Sequence, residues 1–126
     1  MSSKRRLYYV IVIALLLVLF FLRKRNSPIS VNETAYRDTT NLILTKHAKC
    51  RMGCRYIDER EIKEIISGGQ LNRKKSGVGE KNDMTYAIEG YSDEKQHIRV
   101  VVAPEDDGLV IITVIDLDHD WPCHCD

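Results

Sequence analysis

Hydrophobic positions change their spacing three times along this chain. Leu7–Leu22 (LYYVIVIALLLVLFFL) is an unbroken run of 16 apolar and aromatic residues without a charge. As a helix at ~1.5 Å per residue it rises about 24 Å, slightly short of a ~30 Å hydrocarbon core. Arg6 and Arg23 flank the run and can snorkel to make up part of the difference. Tyr8, Tyr9, Phe20 and Phe21 lie near its ends, where aromatic rings favour the interface. Residues 26–40 are polar, include Pro28 and show no apolar period, which reads as a linker.

A helical period follows. Asn41–Leu44 suits a short strand, and Thr45 is placed to cap a helix from Lys46 to about Cys54. Asp58 and Glu61 have capping-box spacing, and Ile57 and Ile62 that of a hydrophobic staple. Ile62, Ile65 and Ile66 form one apolar face, and Gly68-Gly69 ends the helix. The second half turns β-branched: Met84–Gly90, Ile98–Ala103 and Leu109–Leu117 read as strands. Pro104–Gly108 is a hairpin loop by composition, and Tyr91–Gln96 a turn. Gln70–Arg73 suits an edge strand and Lys74–Asp83 a mobile, charged loop. The fold class is α+β: an N-terminal transmembrane helix, then two short helices packed on a small antiparallel sheet. The chain divides into a membrane anchor (1–25), a linker (26–40) and a domain with a Cys-containing tail (41–126).

Composition adds little until it is split. The 126 residues allow one folded domain, and 44% hydrophobic with 29% charged is ordinary. The net charge of +1 hides two unlike parts. Residues 1–25 hold six Lys/Arg and no acid; residues 26–126 hold 13 Lys/Arg against 18 Asp/Glu, a net −5. Lys4, Arg5 and Arg6 would suit a signal peptide. Yet RKRNSP after Leu22 offers no small-x-small cleavage site, so an uncleaved, single-pass anchor through residues 7–22 is expected. Arg23, Lys24 and Arg25 balance the charges on the other side, so the positive-inside rule decides little. The very short N-terminal tail favours a domain outside the cytoplasm. Asn32–Thr34 matches the glycosylation acceptor pattern, which is common by chance.

The four cysteines form two facing pairs. Cys50 and Cys54 stand at i, i+4 on one helix face; Cys123 and Cys125 flank His124 in an extended tail and point to one side. A disulfide within the helical pair has poor geometry, so each pair is arranged to meet the other. Four thiolates could hold Zn²⁺ if the domain is cytoplasmic, with His119 or His124 as replacement ligands. Two disulfides could instead staple the tail to the first helix if it is not. Trp121-Pro122 would pack the tail onto the domain. Asp116, Asp118 and Asp120 alternate and read as a solvated acidic edge.

The run Thr45–Ile62 (TKHAKCRMGCRYIDEREI), followed later by VVVAPEDDGLVIITV, resembles the domain-of-unknown-function family 4258 over about residues 43–116. The shared pattern is a His, an Arg four residues on, another Arg, then Ile and an acidic helix start, closed by the hairpin. That family is similar to RelE/BrnT-like toxin folds, some of them ribonucleases. The resemblance implies an RNA-cleaving role for some members, with His47 as general base and Arg51 and Arg55 stabilising a phosphorane. The residues themselves also suit a structural part: His47 at the strand-helix junction, the Arg side chains paired with Asp58, Glu59 or the acidic strand. An acidic domain makes nucleic acid an improbable partner, because binding it needs a basic surface. Only Arg73, Lys74 and Lys75 make a basic patch. The expectation is a membrane-anchored binding or interaction module, with a RelE-like ribonuclease as the alternative.

Overall fold

The computed structural model describes residues 3–25 and 32–125, which form two units. The first is one helix, α1 (Ser3–Arg25). Its 23 residues rise about 35 Å, longer than the apolar run alone because both basic ends are helical. Mean hydropathy reaches 2.2 within Ser3–Arg23, so α1 is long and apolar enough to cross a membrane. A signal sequence meets the same two criteria.

The second unit begins at Asn32 rather than Asn41. Its elements are α2 (Glu33–Arg37), β1 (Leu42–Leu44), α3 (Lys46–Arg55), α4 (Glu59–Gly68), β2 (Gln70–Leu71), β3 (Gly77–Val78), β4 (Met84–Tyr91), β5 (His97–Glu105) and β6 (Gly108–Asp116). The fold is α+β, but the sheet is mixed rather than antiparallel. Its order is β1-β6-β5-β4-β2, with β3 also on β4. β1 runs parallel to β6, Leu42 opposite Leu109 and Leu44 opposite Ile111. No hairpin joins these two strands, so nothing local forces them antiparallel.

Helix α4 forms as its sequence demands. Asp58 accepts from the Glu61 amide at 2.8 Å, and Glu61 accepts from the Asp58 amide at 3.0 Å. Ile57, Ile62, Ile65 and Ile66 are all buried. Gly69 ends the helix against β4: a Cβ there would lie 2.7 Å from the Glu89 carbonyl. The β5–β6 turn is tighter than its composition implies. Pro104 and Glu105 belong to β5, opposite Leu109 and Gly108. β5 pairs with β4 only as far as Val102, so the missing N–H of Pro104 breaks no ladder. A bulge between Val101 and Val102 shifts the register against β6. Lys74–Asp83 is not all loop, since β3 pairs Gly77 with Thr85 and Val78 with Met84.

The polar stretch before Asn41 contains α2, which is docked, not merely connecting. Tyr36 is fully buried and stacks on Tyr86 with centroids 4.7 Å apart. Arg37 donates to the carbonyls of Ile66, Ser67 and Gly69 at 2.7, 3.2 and 3.1 Å. A cation thus satisfies the open carbonyls at the end of α4.

The Tyr36 hydroxyl is buried without a hydrogen-bond partner among the described residues. Tyr36→Phe should therefore leave stability unchanged or slightly raised, whereas Tyr36→Ala should cost about 3–5 kcal/mol. Denaturant unfolding of the full chain in detergent measures both.

Candidate functional site

The chemistry-bearing residues gather along α3 and the tail that folds back beside it. Thr45 caps this helix, accepting from the Ala48 amide at 3.0 Å. Its hydroxyl lies 3.0 and 3.1 Å from the Ile111 and Ile112 carbonyls, which seats the cap on β6. α3 fully buries only Ala48, and at its far end Arg55 also bonds to β6. It is also wholly basic: Lys46, His47, Lys49, Arg51 and Arg55, with no acid.

The cysteine pairs meet. Cys50 is bonded to Cys125 and Cys54 to Cys123, each with Cα atoms 5.8 Å apart. All four sulfurs are engaged in these bonds, which leaves no thiolate for zinc. No cluster of three or more His, Cys, Asp or Glu suited to a metal occurs among the described residues. His119 lies against the Trp121 ring, and His124 presents its carbonyl 3.9 Å from the Cys50 sulfur.

The centre of the arrangement is Asp116, the last residue of β6. The expectation of a solvated acidic edge fails here, since the Asp116 side chain is only 1% exposed. It follows buried Val114 by two residues and shares its inward side. Asp118 and Asp120 are exposed, because the chain bends after Asp116. One Asp116 oxygen accepts from the Asp118 and His119 amides at 3.0 and 3.1 Å. The other accepts from Gln96 Nε2 and Trp121 Nε1, both at 2.9 Å. Burial alone would raise this carboxyl, but the hydrogen bonds prevail and hold it well below the usual carboxylate range. Gln96 also donates to the Arg55 carbonyl at 3.0 Å, so the same side chain ties α3 to β6. The Trp121 ring meets Tyr56 edge-on at 5.5 Å, where Tyr56 closes α3 in a left-handed conformation.

His47, Arg51 and Arg55 share one side of α3, where they engage each other and β6. His47 Nε2 accepts from Arg51 Nε at 3.3 Å. Arg55 Nη1 donates to the Val114 carbonyl. Burial and the nearby Arg51 lower the Arg55 guanidinium below its ordinary value, against the pull of Asp116 and Asp120. The strand-helix junction is capped by Thr45, not His47. Asp58 and Glu59 pair with Arg60 and Lys63 instead of the α3 arginines. Elsewhere, Thr45, Val101, Ala103, Val110 and Ile112 line an open groove of about 400 Å³.

Trp121 is the sole tryptophan and reports on this network. A carboxyl whose pKa is lowered by folding stabilises above its unfolded value, near 4, and loses that contribution as pH falls below it. Acidification below about pH 4 should therefore lower stability progressively, with Trp121 emission shifting to the red only well below that, where the folded-state carboxyl takes up its proton. Asp116→Asn should cost about 1–3 kcal/mol at neutral pH and flatten this acid dependence. Unchanged stability and an unchanged acid dependence in this variant would show that Asp116 does not hold the tail.

A family model described as Domain of unknown function (DUF4258) matches residues 44–116, from the end of β1 to the end of β6. It takes in Cys50 and Cys54 and stops before Cys123 and Cys125. No curated protein and no solved structure matches the chain. With the family's model covering more than half of its length, the chain belongs to the DUF4258 family of domains of unknown function.

Proposed function

We propose that this is a single-pass membrane protein whose cross-linked domain lies outside the cytoplasm and serves as a binding or interaction module. The pair of bridges between α3 and the tail is the observation that carries this reading. Disulfides persist in oxidising compartments and are rare in the cytosol. An apolar helix without a following small-x-small site suits retention over cleavage. The groove offers such a module an apolar floor with Glu80, Lys81, Asp83 and Glu105 around it.

The RelE-like ribonuclease alternative draws on His47, Arg51 and Arg55. Against it stand the net −5 of residues 26–126 and the engagement of these side chains with each other and with β6. RNA binding requires neutralising phosphates, which an acidic domain does poorly.

Three measurements decide. Protease added to the outside of intact cells should digest the domain, and the membrane-bound protein should keep its own N-terminus. A soluble product starting near Asn26, or a domain protected until the membrane is opened, would contradict the reading. The full chain in detergent should cleave RNA no faster than background. Reproducible cleavage that His47→Ala removes, with the fold kept, would establish the alternative.

A further inference from the structure

The two bridges differ in exposure, anchoring and charge. Cys50 is exposed, whereas Cys54, Cys123 and Cys125 are half-buried. Cys123 lies two residues beyond Trp121, whose indole is tied to Asp116, and its amide donates to the Trp121 carbonyl at 2.8 Å. Cys125 lies four residues beyond that anchor. On α3, Lys46 and His47 are the i−4 and i−3 neighbours of Cys50, and Lys49 and Arg51 adjoin it in sequence. Positive charge draws in an anionic nucleophile and stabilises a thiolate.

We propose that the Cys50–Cys125 bridge is a thiol-exchange site for a dithiol, and that Cys54–Cys123 is the structural cross-link that keeps α3 and the tail together meanwhile. This goes beyond the binding-module reading and rests only on the bridge geometry and the charge of α3. In the first step a thiolate of the dithiol attacks the exposed Cys50 sulfur. A mixed disulfide forms, the Cys50–Cys125 bond breaks, and Cys125 leaves as a thiolate that takes a proton from water. In the second step the other thiolate of the dithiol attacks its partner sulfur in the mixed disulfide and expels Cys50 as a thiolate. The dithiol becomes a disulfide, and its two electrons reduce the bridge. Lys46 and Lys49 favour both steps, by attracting the incoming anion and by stabilising the outgoing Cys50 thiolate.

The test is graded reduction of the full chain in detergent with dithiothreitol, followed by acid quench, alkylation and disulfide mapping by mass spectrometry. A species alkylated at Cys50 and Cys125, with Cys54–Cys123 intact, should accumulate first. Simultaneous opening of both bridges, or earlier opening of Cys54–Cys123, would overturn the proposal. The second arm is the double variant Lys46→Glu/Lys49→Glu. Both positions lie in the N-terminal half of α3, where acidic side chains suit the helix dipole, so the fold should be kept. At low salt, opening of Cys50–Cys125 should slow about tenfold, and the difference should shrink at about 1 M salt. Opening of Cys54–Cys123 should change less, which separates local charge from general stabilisation of α3. An unchanged Cys50–Cys125 rate in the variant would show that the basic helix does not activate the site.

Discussion

The domain depends on how a basic helix is held to a sheet. α3 buries one side chain completely, so polar bonds from Thr45 and Arg55 to β6 add to a small apolar contact. The tail supplies what burial does not, and the Asp116 carboxylate turns the tail back. Four hydrogen bonds converge on that carboxylate, from two tail amides, the Trp121 indole and Gln96. A buried charge is tolerated only when it is so satisfied. Once the tail lies beside α3, the cysteine pairs are within bonding distance and the arrangement becomes covalent. The bridges close separations of 75 and 69 residues. In the chain-entropy view the first closure stabilises by about 4 kcal/mol, and the second, closing only the small ring left between them, adds less.

The neighbouring helix shows the opposite solution. α4 carries Ile62, Ile65 and Ile66 on one face and a complete capping box, so it packs on the sheet without a cross-link. Its C-terminal carbonyls are closed by Arg37 from α2, which Tyr36 anchors in the core. One half of the layer above the sheet is thus held by apolar area and caps, the other by the Thr45 and Arg55 bonds to β6, a hydrogen-bonded turn and sulfur.

Elements whose signal is local could be read from the residues. Asp58 with Glu61, Ile57 with Ile62 and the β-branched hairpin each state a geometry within a few positions. The meeting of the cysteine pairs was legible too, because i, i+4 and i, i+2 spacings leave each pair needing a partner. The bonding of Cys50 to Cys125 and of Cys54 to Cys123 was not, since spacing alone does not order two parallel links. Asp116 was misread as part of an exposed acidic row. Its inward position follows from the period of β6, two residues after Val114, but a bend after it breaks the alternation with Asp118 and Asp120. The direction of β1 and the docking of α2 were hidden for a related reason. Three residues of strand, or five of helix, carry no long-range information, and Tyr36 and Arg37 find their partners some thirty or more residues away.

The functional reading and the fold meet in the oxidation state of the four cysteines. A domain cross-linked through α3 in this way belongs where disulfides last. The most direct measurement is the thiol state of the native protein, trapped by acid in intact cells, alkylated and mapped. The account predicts no alkylated cysteine and the two cross-linked peptides Cys50–Cys125 and Cys54–Cys123. Four alkylated cysteines, or the exchanged links Cys50–Cys123 and Cys54–Cys125, would contradict it.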